Sequence, residues 1–282
     1  MIREVFITFK QNKLFFFVKK NIKIVTSILL LIMTANLYSQ NEYSHEIGFI
    51  SGSASFTTDY GQRNHFKSNV GGNVGFGMGL IYYLNFTDYR YRWNQRTNYW
   101  AEHFRIRGEL SYMAAELDHF GKWAAAQTDG GEKLRAHHGK TYLVNLGAQL
   151  EFHWVDIVDF GSRRIPDLKW SPYLSIGTFV DFYNPSMYSD LGDWRDPGIL
   201  YPKWDINNDP KAARITPGIT MSATLGVGTR RKFGEYSDLI IESRWQYFFS
   251  NYVDGLHSRP DPANKYNDWL LWIHIGYIYY LN

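Results

Sequence analysis

The segment Trp269–Asn282, WLLWIHIGYIYYLN, constrains this chain more than any other. Every second residue, from Trp269 through Leu271, Ile273, Ile275, Tyr277 and Tyr279 to Leu281, is apolar or aromatic. The alternate file carries His274 and Gly276 among Leu270, Trp272, Ile278 and Tyr280. Period two is the signature of a strand, and at roughly 3.3 Å per residue this one reaches about 45 Å. Strands of soluble proteins average roughly 5 to 6 residues, whereas a tilted strand crossing a bilayer needs about 9 to 11. A strand of this kind needs hydrogen-bonding partners along both edges. In lipid, closure of the last strand onto the first is the arrangement that leaves no edge unpaired.

Seven further alternating segments precede it: His45–Ser55, Gly72–Leu84, His103–Leu117, Thr141–Trp154, Ser171–Phe182, Ile215–Thr229 and Leu239–Phe249. The expected fold is therefore all-β, an antiparallel transmembrane barrel of about eight strands, an even number that brings both ends to one side. Alternation alone does not say which face is outside, because a lipocalin-like soluble barrel alternates with its apolar file inward. The lysines of the mature chain, Lys140 and Lys232 included, are expected in connections or at strand edges, whereas a water-facing sheet carries them along its length. The polar files hold glycines, hydroxyls and a few Arg and Glu residues. Arg107, Glu109, Glu151 and Arg244 are accordingly expected to face a narrow polar lumen and pair there.

Residues 1–40 read differently. A basic stretch containing Lys19, Lys20 and Lys23 leads into the apolar run Ile24–Met33 and then into small and polar residues, which predicts a signal peptide cleaved near Ser39 or Gln40. The run is about half the roughly 20 residues of a membrane-anchoring helix. The mature barrel is then 41–282. Formal charge is +3, but the leader holds Arg3, Lys10, Lys13, Lys19, Lys20 and Lys23 against Glu4 alone, so the remainder is slightly acidic. That balance gives no reason to expect nucleic acid as a partner. The absence of cysteine excludes disulfides and thiolate metal sites.

With the N-terminus on the periplasmic side, outer loops are expected at 56–71, 118–140, 183–214 and 250–268, and inner turns at 85–102, 155–170 and 230–238. The inner turn NFTDYRYRWNQRTNYW interleaves Arg90, Arg92 and Arg96 with aromatics that include Trp93 and Trp100. Two roles fit it: an aromatic belt with snorkelling arginines at the lipid boundary, or a docking surface for a periplasmic protein partner.

The remaining motifs fail on spacing. Asp205, Asn207 and Asp209 begin like a calcium loop, but Pro210 stands at the required glycine and Thr216 at the terminal Glu. His137 and His138 lack a third ligand at useful spacing, and the glycines from Gly71 to Gly79 precede no helix. No catalytic, cofactor-binding or metal-binding residue is assigned.

The segments HEIGFISGSASFTTDYG, GGNVGFGMGLIYYLNFTDYRYRWN and GYIYYLN resemble a family of Bacteroidota outer-membrane barrels similar to PorG, a component of the type IX secretion and gliding apparatus. That resemblance implies a non-enzymatic barrel in the outer membrane, in contact with lipid, whose periplasmic side touches a partner in a secretion complex. One departure is the end of the chain, Leu281 and Asn282 after Tyr279 and Tyr280, where many such barrels finish on an aromatic residue. Two other classes fit a small barrel: a surface adhesin using the loop 183–214, or a lipid-modifying deacylase or acyltransferase with His119 or His257 at the outer rim. Eight strands enclose little more than their own side chains, so a porin-like pore is not expected.

Overall fold

The computed structural model describes residues 44–61, 71–86, 98–157, 160, 169–207, 209–257 and 266–281; the leader, and with it the expected signal peptide, lies outside them. Eight strands run as β1 Ser44–Thr57, β2 Val74–Asn85, β3 Phe104–Asp118, β4 His137–His153, β5 Trp170–Ser189, β6 Gly218–Gly234, β7 Ser237–Phe248 and β8 Trp269–Leu281. Each pairs antiparallel with its sequence neighbour, and β8 returns to β1 with Phe49 opposite Tyr277, closing the barrel. Closure satisfies the backbone groups of every strand, which a bilayer core demands.

Side-chain direction follows the alternation. Phe49, Leu80, Leu110, Leu146, Ile176, Leu225, Ile241 and Ile275 form part of an exposed apolar wall, while Arg107, Glu109, Glu242 and Arg244 are buried inside. An ionic interior inside an apolar exterior is the reverse of a soluble barrel, and this is an outer-membrane barrel by construction. Gly77 shows how the lumen is filled: a Cβ there would lie 2.9 Å from Nε1 of Trp272, so the glycine leaves the space that the indole occupies.

The strands differ from expectation at their ends. β5 continues through Asn184, Pro185, Ser186, Met187 and Tyr188, taking seven residues from the expected loop 183–214. β6 and β7 meet across the two-residue turn Glu235–Tyr236, so the inner turn 230–238 is mostly strand. The reason is that the ladder outlasts the bilayer: where the outer face meets water, its side chains turn polar and hydrophobic alternation fades, although backbone pairing continues. Lys140 and Lys232 are corrected on the same ground, since both lie within strands. Lys140 faces outward directly opposite Glu116, 2.5 Å away, and Lys232 sits at the lumen mouth with Nζ 2.7 Å from Oη of Tyr280. Among the described residues two short α-helices are additional, α1 Tyr99–His103, capped by Asn98, and α2 Asp129–Ala136, capped by Thr128, with a 3-10 turn at Pro202–Trp204.

The end bearing the longer connections is extracellular, as is the rule for such barrels. Toward the periplasm the lumen is largely ionic. Toward the outside it becomes an apolar core of Phe56, Met113, Leu117, Leu143, Phe248, Leu270 and Trp272, completed by Leu200, Val253 and Leu256 from the outer loops.

Candidate functional site: a sealed lumen under a folded cap

β3 and β7 stand on opposite walls of an eight-stranded ring, and their lumen-facing residues are complementary: Arg107 and Glu109 against Glu242 and Arg244. Arg107 grips Glu242 with both terminal nitrogens, at 2.6 and 2.9 Å, and Arg244 grips Glu109 in the same way, at 2.7 and 2.8 Å. Two reciprocal forked ion pairs therefore brace the barrel across its diameter. The forked geometry is the strong form of a charge-assisted hydrogen bond. Glu151 joins at 2.8 Å from Arg107, and Gln149 accepts from Arg107 at 2.7 Å. Tyr173 donates to Glu242 at 2.7 Å, and Arg244 Nε reaches the other oxygen of that carboxylate at 3.0 Å. Arg107, Glu109, Glu151 and Arg244 are thus brought into one network.

A second cluster closes the periplasmic mouth. Glu46 accepts from Arg105 at 2.9 Å, Arg230 at 2.5 Å and Asn85 at 2.8 Å, and Asp238 takes Arg230 at 3.0 Å and the hydroxyl of Tyr280 at 2.6 Å. With Lys232 included, the named cations and carboxylates balance one for one. That balance matters because an unpaired charge buried in a protein costs several kcal/mol. Glu46, Arg105, Arg230, Asp238 and Glu242 were not singled out from sequence. Their signal was present, since each falls on the lumen file of its strand, but residues that meet across the ring are not neighbours in any pattern along the chain.

The outer mouth is covered by folded loops. Thr141 donates to the carbonyl of Val253 at 2.6 Å, drawing the segment Val253–Leu256 into the barrel. Asp254 accepts from the backbone N–H of Asp59 at 2.9 Å and of Leu256 at 2.8 Å, tying the first outer loop to the last. Burial, reinforced by the Asp59 carboxylate, pushes Asp254 up to about 7. Arg135 of α2 donates to the carbonyls of Ala124 and Ala126 at 2.5 and 3.0 Å.

Of the expected periplasmic surface, Arg90, Arg92, Trp93 and Arg96 lie outside the described residues. Trp100 is in α1, 56% exposed, with its ring 4.1 Å from Phe104, which continues to Phe152 and Trp154 along the outer wall. Asn85 belongs to the lumen, not to the turn, because its amide is committed to Ser44 and Glu46.

His119 is buried in a ring stack and not at a lipid-facing rim, and His257 Nδ1 lies 2.8 Å from the Asn251 amide. His138 bridges Asp118 and Asp190 at 2.5 and 3.4 Å. Asp205 is spent on its own turn, accepting from the backbone and side chain of Asn207. Among the described residues no three His, Asp or Glu side chains converge as metal ligands.

No family model matches the chain, and no curated protein matches it. Solved structures that align with it include the attachment invasion locus protein Ail of Yersinia pestis in complex with the heparin analogue sucrose octasulfate, at 10% identity and TM-score 0.40, covering 86% of this chain and 100% of that one. Neisserial surface protein A aligns at 12% identity and TM-score 0.41, covering 85% and 99%. A major outer membrane protein of Thermus thermophilus aligns at 12% identity and TM-score 0.43, covering 86% and 100%.

Proposed function

We propose that the protein is a non-enzymatic outer-membrane component that acts through what its two ends present to other molecules, and not by conducting solutes or by catalysis. The observation that carries this reading is the pair of forked ion pairs from β3 to β7, which span the lumen from wall to wall. Passage of an ion or solute would require breaking charge pairs in a low-dielectric interior, at several kcal/mol each. Purified barrel reconstituted in planar bilayers is expected to give no channel openings. Steady single-channel conductance would overturn the reading.

The finer role is as a component of type IX secretion or gliding, with Arg90, Arg92, Trp93, Arg96 and Trp100 forming the surface for a periplasmic protein partner. The exposed Tyr99 and Trp100 of α1 support this reading, since exposed Trp and Tyr are residues that anchor interfaces. Exchanging residues 87–97 for a short turn, with Asn85 kept because the lumen uses it, is expected to leave assembly intact and reduce co-purification of periplasmic proteins crosslinked in native membranes. Unchanged co-purification and secretion would leave Trp100 and Phe104 as lipid-boundary residues only.

A surface adhesin is the second reading. It is favoured by Trp123, which is 66% exposed on the second outer loop with Lys122 Nζ 5.0 Å from its ring centre. Whole-cell binding to host-cell or glycan arrays, compared with Trp123→Ala, separates it from the first reading.

A further inference from the structure

Three outer loops and the start of β4 meet in one stack of rings. His119, from the loop after β3, lies between Tyr60 of the first loop and Trp204 of the third, with ring centres 4.6 and 4.8 Å away and planes within 26° and 27°. His137, the first residue of β4, touches both: its Nε2 is 3.1 Å from the Tyr60 hydroxyl and its Nδ1 is 3.2 Å from His119 Nε2. All four side chains are buried. Tyr60 reaches this place because position 139 is glycine, where a Cβ would lie 2.6 Å from the phenol ring.

We propose that this stack is an acid-released latch, which holds the outer loops over the barrel mouth at neutral pH and lets them go when the two imidazoles take up protons.

Tyr60, His137 and His119 form a hydrogen-bonded row in which each proton has a fixed place. Between Tyr60, His137 and His119 there are two links, and with both histidines neutral each link holds one proton, whichever way the row is directed. One added proton leaves the links formed only if it places an imidazolium inside the stack. A second sets the N–H of His137 against the N–H of His119 across 3.2 Å, and that link is lost.

The groups around the first charge act in both directions. The faces of Tyr60 and Trp204 attract a cation, but Lys203 already sits over the Trp204 ring at 5.0 Å. His138, next in the chain, is paired with Asp118 and Asp190, and its own charge further disfavours one on His119. Burial, with the charges of Asp254, Asp118 and Asp59, raises Tyr60 well above the ordinary phenol range, so its proton stays in place. Burial and the neighbouring His137 keep His119 well below the ordinary histidine range. Because the released loop binds protons near pH 6.5 and the closed one does not, cap stability is full above that value and falls as pH drops through it. Asp254 runs the other way: raised to about 7, it takes a proton in the closed cap on acidification and partly offsets the loss.

The chain has no cysteine, so a nitroxide on Asp196→Cys reports the third loop alone. In barrels held in lipid bilayers, the ratio of mobile to immobile signal is expected to rise on going from pH 7.5 to 4.5, by up to about tenfold per pH unit for each proton taken up. The double variant His119→Phe with His137→Gln keeps a ring and a polar partner without a titrating imidazole, and its ratio is expected not to rise, and to fall slightly as Asp254 takes up its proton. Heat-modifiable migration verifies that the barrel has assembled. Should the double variant not assemble, His119→Phe alone is expected to make the rise shallower than in the wild type. A wild-type signal that does not change with pH, or a variant that responds as the wild type does, would overturn the latch.

Discussion

The two halves of the lumen are held by different means. Near the periplasm the binding groups are charged side chains on strands, fixed in position by the closed ladder, so Arg107 and Glu242 meet because β3 and β7 are opposite. Near the outside, the core is assembled from loops, and residues as distant as Tyr60, His119 and Trp204 meet only when those loops fold down. A strut on a ladder fails together with the barrel. A loop-built cap can open while the wall beneath it stays intact, because local unfolding proceeds through units with few ties to the rest.

The largest expected effect tests the strut side of that contrast. Arg107→Met leaves Glu242 and Glu151 buried without their shared cation and is expected to cost about 3 to 5 kcal/mol of barrel stability, measured by urea unfolding in lipid vesicles. Exchanging the signs on both walls, with Arg107→Glu and Glu109→Arg on β3 and Glu242→Arg and Arg244→Glu on β7, together with Glu151→Gln so that no second carboxylate meets the new one, is expected to recover much of it. Were Arg107→Met to lower only the resistance of the outer loops, the two halves would not be separable as described.

Leu256→Ala probes the cap with an effect second in size. Removing a fully buried leucine costs about 2 to 4 kcal/mol, and here the loss is expected as faster proteolysis of the outer loops, with the urea midpoint of the barrel nearly unchanged. A midpoint shift equal to that of Arg107→Met would break the comparison.

Asp254→Asn sharpens it through pH. Since burial raises this carboxyl to about 7, its protonated form favours the closed cap, a contribution complete below its ordinary value near 3.8 and lost as pH rises through 7. The variant is expected to lose that pH-dependent term, so outer-loop protection falls more steeply on acidification than in the wild type. Equal slopes in amide hydrogen exchange would remove Asp254 from the account.

The smallest effect belongs to Lys140 and Glu116, paired above the bilayer where the Glu116 side chain is 75% exposed. Exposed pairs contribute less than about 1 kcal/mol. Lys140→Ala is expected to change neither the urea midpoint nor outer-loop proteolysis by more than that, and a larger change would show that the water-exposed ladder shares in barrel stability.

Much of this fold was legible along the chain. Period two in eight segments separates an outward from an inward file, and it places Arg107 with Glu109 and Glu242 with Arg244 on lumen files before any contact is known. Legibility failed at the outer ends of the strands, as at Asn184–Ser189, where lipid no longer imposes an apolar face and pairing leaves no trace in composition. It failed altogether for the cap, because loop residues such as His119 and Trp204 carry no periodicity that says what they touch.

The alternation by itself determined that the chain makes long two-faced strands and which side chains point inward, because each strand position has only two directions available. Only the tertiary structure decided which inward groups meet. Ring closure selects the opposing strands, and the loops take their places over a mouth whose shape exists only once the ring has formed.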